Sequence, residues 1–147
     1  MQNTDAVRCK ALCIKGKKEN TLSFQAEKQV IREYYSALDN AKGDGITAVL
    51  GRYTAENYTW RAFHPFHLQT DSETVSDLFW KPFRGAVTSM QRRMDVFFAG
   101  NNFIDDGGSV WVCSMGHLMG LFDAPWLGIQ PTGKMIMLRY AEFHKIV

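Results

Sequence analysis

The chain has little of what several specialised protein classes depend on. Its 147 residues contain no run of about 18 apolar side chains, so no membrane-spanning helix is expected, and the first residues lack the apolar core of a secretory signal. Cysteine is scarce and odd in number. Cys9, Cys13 and Cys113 neither pair off nor show the spacing of a metal-binding set, which suits free thiols in a reducing compartment. An excess of one charge is also missing: 17 basic residues stand against 15 acidic ones, with no clustered basic face for nucleic acid. From these absences we expect a cytoplasmic protein with no nucleic-acid or membrane partner and no metal.

What is present suffices for one domain. A hydrophobic content of 46%, of which 13% of the chain is aromatic, fills a single core at this length. Residues 1–23 read as a flexible arm, because Arg8, Lys10, Lys15, Lys17 and Lys18 are interrupted only by Asp5 and Glu19 and no apolar period emerges. Residues 24–147 carry the pattern of a folded unit. Val30, Ile31, Tyr34, Tyr35 and Leu38 recur at three and four and end at Lys42-Gly43, and Ile46, Val49, Leu50 and Tyr53 repeat the spacing, so two amphipathic helices are expected. Asn57 to Phe63 reads as a strand ended by Pro65. Thr70 with Glu73 resembles a capping box ahead of a third helix, over Val75, Leu78 and Phe79, that stops before Pro82.

The rest reads as sheet. A strand is expected through Met90–Phe98, with Met90, Met94, Val96 and Phe98 on one side, followed by an Asp105-Asp106-Gly107-Gly108 turn. Ser109–Leu121 forms the next strand, with Trp111, Cys113, Met115, His117 and Met119 projecting together, and Met135–Ile146 forms the last. Helices first and an antiparallel sheet after them imply an α+β fold with the helices on one face of a curved sheet. Between the last two strands, Met115 to Lys134 joins His117 to a loop rich in glycine, proline and tryptophan. The glycines there allow bending or close backbone approach, and His117 is the only histidine in the stretch.

Taken together, Trp60 with His64-Pro65, Arg92-Arg93-Met94-Asp95, Gly116-His117 with Gly120 and Phe122, Trp126-Leu127-Gly128-Ile129 with Pro131-Thr132-Gly133, and Arg139-Tyr140-Ala141-Glu142-Phe143 resemble a SnoaL-like polyketide cyclase domain. The resemblance runs from about Glu27 to Val147. It implies the cone-shaped fold of the nuclear transport factor 2-like superfamily, in which a bent sheet wraps around helices and encloses an apolar pocket. It also implies cofactor-free acid/base chemistry such as an intramolecular aldol closure. Domains of that family continue past the strand matching Arg139–Ile146 with a turn and a further strand that brings a catalytic aspartate. This sequence ends at Val147 and no residue matches that aspartate. The expected domain therefore lacks a C-terminal strand, and the exposed edge of its fourth strand invites self-association into a homodimer.

For such chemistry the titratable candidates are His117, Glu142 and Asp123. Burial would raise the Glu142 pKa towards a useful range, while an ordinary ion pair on the strand is the competing role. His117 fits either acid/base work or hydrogen bonding that shapes its loop, and Asp123 stands at a pocket mouth or in solvent. Tyr58, Trp60, His64, Phe122, Trp126 and Arg139 are the expected ligand contacts, with core packing as the alternative for the aromatics. Asp95 reads as a structural ion-pair residue, and His64 with His67 lack a third metal ligand. Two functions follow: a cofactor-independent cyclase or isomerase acting on a small hydrophobic, polyketide-like ketone, or a non-catalytic small-molecule-binding or dimerisation domain of the same fold.

Overall fold

The computed structural model describes residues 24–104 and 107–147. The arm over residues 1–23, with Cys9 and Cys13, lies outside the described residues, as do Asp105 and Asp106 of the expected turn. Helix α1 (Gln25–Asn40) buries Ile31, Tyr35 and Leu38, which share one face at spacings of four and three. It ends at Ala41, and Gly43 at φ 52° turns the chain into α2 (Asp44–Tyr53), whose Ile46 and Leu50 are buried.

Three local expectations change. The strand over Asn57–Phe63 shrinks to a two-residue ladder, β1 (Trp60–Arg61) against β2 (Leu68–Gln69). The third helix is capped by Asp71, whose carboxylate accepts from the Thr74 backbone N–H at 2.7 Å, so the Thr70–Glu73 box is not used. That helix also runs on through Pro82. Helix α3 (Ser72–Val75) passes into a π-helical stretch (Ser76–Trp80) and then α4 (Lys81–Ala86), with the Lys81 N–H reaching back five residues to the Ser76 carbonyl. The wider turn places Pro82 at a helix start, where its missing N–H costs least.

Strands β3 (Val87–Asn102), β4 (Ser109–Phe122) and β5 (Met135–Ile146) form an open antiparallel sheet in the order β3-β4-β5. Its curvature has a local cause. Strand β3 shifts register between Thr88 and Gln91 and again between Met94 and Val96, opposite the two glycines of β4. A Cβ on Gly116 would sit 1.9 Å from the Arg93 carbonyl oxygen, and one on Gly120 would sit 2.6 Å from Val87 Cγ1. These glycines therefore admit the backbone of β3, not a ligand, and the sheet curls around the contact.

The concave face receives the helices. Val112, Ser114, Leu118 and Phe122 of β4 are buried there, and Leu118 and Phe122 join Leu38, Leu50, Trp80 and Phe83 in the main core. The second bulge divides the residues Met90, Met94, Val96 and Phe98 that were expected to share one side of β3. One extra residue exchanges the two faces beyond it, so Val96 and Phe98 are exposed, as is Met94 beside the bulge, while Arg92 and Phe97 turn towards the helices. On β4 the side shared by Trp111, Cys113, Met115, His117 and Met119 is the face turned away from the helices.

Candidate active site

The concave face holds a polar cluster that no short motif announces. Tyr35 and Asp39 come from α1, Arg92 from β3, and Glu142 and His144 from β5. Asp39 and Tyr35 are one helical turn apart on α1, and Glu142 and His144 are alternate residues of one strand, so each pair presents to the same side. Arg92 lies between the two carboxylates. Its Nε is 3.0 Å from Asp39 Oδ2, its Nη2 donates to Asp39 Oδ1 at 3.3 Å, and its Nη1 donates to Glu142 Oε1 at 3.3 Å. The guanidinium carbon stacks 3.9 Å from the Tyr35 ring centre and 5.1 Å from that of Tyr140.

Accessibility separates the members of this cluster. The Arg92 side chain is 4% exposed, whereas Glu142 retains 24% and His144 23%. Arg92 is thus a buried strut, and the carboxylate and imidazole are the parts a solute can reach. Burial opposes the charge on Arg92, but Glu142 and Asp39 outweigh it and raise its pKa. Burial also pushes the Glu142 pKa up; hydrogen bonding from His144, the Arg92 charge and the Tyr35 hydroxyl more than reverse this and bring it down to about 2. The expectation that burial would raise it is corrected by these donors.

His144 Nε2 is 2.9 Å from the Tyr35 hydroxyl and 3.4 Å from Glu142 Oε2. With Nε2–H donating to this pair and the Tyr35 hydroxyl donating to Glu142, Nδ1 keeps its lone pair and has no partner among the described residues. Tyr34 stacks edge-on to His144 with ring centres 5.9 Å apart. The hydroxyls of Tyr34 and Tyr58 also have no hydrogen-bond partner among the described residues. Burial, followed by the charge of Glu142, raises the pKa of both, so both remain neutral donors. Ser114 and Tyr140 hydroxyls meet at 3.1 Å on the same face.

The remaining residues expected at the site are dispersed. His117 lies on the opposite face of the sheet, where Nδ1 is 3.0 Å from Asp95 Oδ2, and Arg139 is its exposed cross-strand neighbour on β5. His117 and Glu142 therefore cannot act on one substrate molecule from within this cluster. Asp123 accepts from the Thr88 hydroxyl at the exposed start of the loop after β4. His64 is exposed, with its ring 5.6 Å from that of His67. Phe122 is buried in the core. Trp60 and Trp126 belong to an aromatic cluster with Phe66, Phe79 and Phe83 in which Trp126 stacks on Phe66 and tilts against Phe83. The Trp126 indole N–H is buried without a partner among the described residues. No three His, Cys, Asp or Glu side chains among the described residues group for a metal ion.

Of this cluster the sequence singled out Glu142 as an acid/base candidate, and neither His144 nor Asp39 stood out. The signal available was the alternation Tyr140, Glu142, His144, which puts three polar groups on the side of the strand that Ile136, Leu138 and Ile146 otherwise make apolar.

Neither a family model nor a curated protein matches the chain. A solved structure described as a SnoaL-like polyketide cyclase from Jannaschia sp. CCS1 shares its fold, with a TM-score of 0.58 and 18% sequence identity over 90% of this chain and 83% of that one. The α+β fold of nuclear transport factor 2-like proteins is thereby shown for this chain, with the sheet open and not closed into a barrel.

Proposed function

We propose that the concave cluster is the active site of a cofactor-independent cyclase or isomerase acting on a small hydrophobic ketone. The observation that carries this reading is a reachable imidazole with one free nitrogen, backed by a carboxylate that is held ionised. Glu142, at a pKa of about 2, is too weak a base for a carbon acid near neutral pH and serves to orient His144 and to stabilise its protonated form. His144 Nδ1 takes the proton from the carbon next to the carbonyl, leaving an enolate. The neutral hydroxyls of Tyr34 and Tyr58 donate to the enolate oxygen.

From this intermediate two outcomes balance. Where the ketone is β,γ-unsaturated, the charge spreads over the double bond, and returning the proton to the γ carbon gives the conjugated isomer. Attack of the enolate carbon on a second carbonyl in the same molecule closes a ring, and the imidazolium then protonates the new alkoxide. Arg92, with Asp39 behind it, fixes Glu142 and takes no proton. The rings of Tyr34 and Tyr35, packed edge-on against His144, supply an apolar environment in which a flat ketone is desolvated. That the structural neighbour is described as a polyketide cyclase agrees with a ketone substrate.

One observation favours the alternative of a binding domain without turnover: Trp126 is packed into the Phe66, Phe79 and Phe83 cluster in the manner of a core residue. The two readings separate in one assay with a bicyclic aryl ketone in heavy water. The enzyme reading expects hydrogen exchange at the carbon next to the carbonyl well above the buffer rate. Saturable quenching of tryptophan fluorescence by the ketone with exchange at the buffer rate would establish the binding domain and overturn catalysis.

A further inference from the structure

Two turns that give no group to the concave cluster meet through their aromatic side chains. In the first, between β1 and β2, the Ala62 N–H donates to the His67 carbonyl at 3.0 Å and the Phe66 N–H to the Phe63 carbonyl at 2.9 Å. In the second, within the loop from β4 to β5, Trp126 and Ile129 exchange backbone hydrogen bonds at 3.1 and 2.9 Å. Phe66 and Trp126 stack with ring centres 6.4 Å apart, so each turn aims one aromatic ring at the other. The residues left outside are apolar as well: Phe63 is 94% exposed, Ile129 58%, Leu68 50% and Leu127 48%. Internal packing does not account for them. Leu127 holds φ at 52° beside Gly128 at 78°, a turn position that asparagine, aspartate or glycine fills at lower cost, and its side chain goes to solvent. Apolar side chains presented together at a conformational cost mark a contact outside the chain.

The charges around these turns are of one sign. Residues 57–70 contain one arginine, two histidines and no acid, and residues 124–134 contain one lysine and no acid. Arg61 is paired with Leu68 across the β1–β2 ladder and both are exposed, so a cation stands beside the apolar tip on the same side of the ladder. We propose that the two turns form a docking tip for an anionic lipid surface. Phe63, Leu127 and Ile129 enter the boundary between headgroups and acyl chains, and Arg61 reaches the lipid phosphates. Burial of the apolar side chains and attraction of the cation act together at such a surface, and the lack of acids in both turns removes the repulsion that would oppose them. No helix among the described residues is long and apolar enough to cross a membrane, and docking through two turns requires none. The expectation of no membrane partner is thereby revised for the surface of a bilayer. The inference is independent of the acid/base reading, because no residue of either turn belongs to the concave cluster.

The test is co-sedimentation of the full chain with vesicles of phosphatidylcholine in which phosphatidylglycerol makes up about a third of the lipid, set beside vesicles of phosphatidylcholine alone. The proposal expects partitioning at least tenfold stronger onto the anionic vesicles. It further expects the double change Phe63→Ser with Ile129→Ser to weaken that partitioning at least tenfold, with the far-ultraviolet circular dichroism spectrum retained because both positions are exposed. Should the double variant not fold, Phe63→Trp provides the readout: its fluorescence should be quenched by lipid brominated on the acyl chains more strongly than that of the unaltered chain. Equal partitioning onto both vesicles, or none onto either, would overturn the proposal. Binding that survives the double change would assign it to the basic residues of the arm over residues 1–23 and overturn it too, as would Phe63→Trp quenching no greater than that of the unaltered chain. A fall in the sedimenting mass of the lipid-free chain on the double change would identify the tip as a contact between copies and likewise overturn it.

Discussion

Glu142 Oε2 stands 3.4 Å from His144 Nε2 on the inward side of β5, and both meet the Tyr35 hydroxyl of α1. A strand and a helix that are more than a hundred residues apart in the chain are thus joined by one proton-bearing contact. Arg92 fixes the carboxylate end of it from a third element.

Removing Arg92 tests that role. Arg92→Met leaves Asp39 and Glu142 facing each other without the cation between them, and we expect a loss of about 3–5 kcal/mol in urea unfolding. Because the cost arises from unpaired carboxylates, adding Asp39→Asn and Glu142→Gln to Arg92→Met should return part of it. Strict additivity of the three changes would show that the groups do not interact.

Glu142→Gln alone is expected to lower stability by about 1–3 kcal/mol, since Arg92 loses one of two charged acceptors yet keeps Asp39. The buried Arg92 guanidinium, left with a neutral amide in place of a carboxylate, is the reason for the loss.

Acid titration gives the sign of the same interaction. The Glu142 pKa is lowered in the folded chain from 4.5 to about 2, so its contribution is fully present above about pH 4.5 and fades as the pH falls towards 2. Between those limits the unaltered chain should lose stability more steeply than Glu142→Gln, measured by thermal unfolding across the pH range. Equal slopes would remove Glu142 from the ionised cluster.

The glycines of β4 make a separate prediction. Gly116→Ala places a methyl group on the Arg93 carbonyl and should destabilise by about 3 kcal/mol or more, or prevent folding. Gly100→Ala, with open space around it, should cost about 1 kcal/mol or less. Comparable melting temperatures for the two variants would contradict the close crossing of β3 over Gly116.

These contrasts mark where the sequence was informative. Helices α1 and α2 were legible because Ile31, Tyr35 and Leu38, then Ile46 and Leu50, repeat at helical spacing, and β4 and β5 were legible from alternation over more than ten residues. The face of β3 was not, because the bulge after Met94 exchanges inside and outside without any change in composition. The helix through Pro82 was hidden by a π-helical turn that only tertiary packing selects. At the site, Glu142 was visible as an acid on an apolar strand. Its pairing with Arg92, and the placement of His117 on the far side of the sheet, depend on register across three elements, which no single stretch of sequence encodes.

In the proposed mechanism His144, and not His117, exchanges the substrate proton. Its most direct test is the rate of hydrogen exchange into a bicyclic aryl ketone in heavy water for His144→Gln and His117→Gln, measured side by side on folded protein. General acid/base catalysis predicts a fall of about 10²–10⁴-fold for His144→Gln and a rate within about twofold of the unaltered chain for His117→Gln. An unchanged rate in His144→Gln, or an equal fall in both variants, would contradict it.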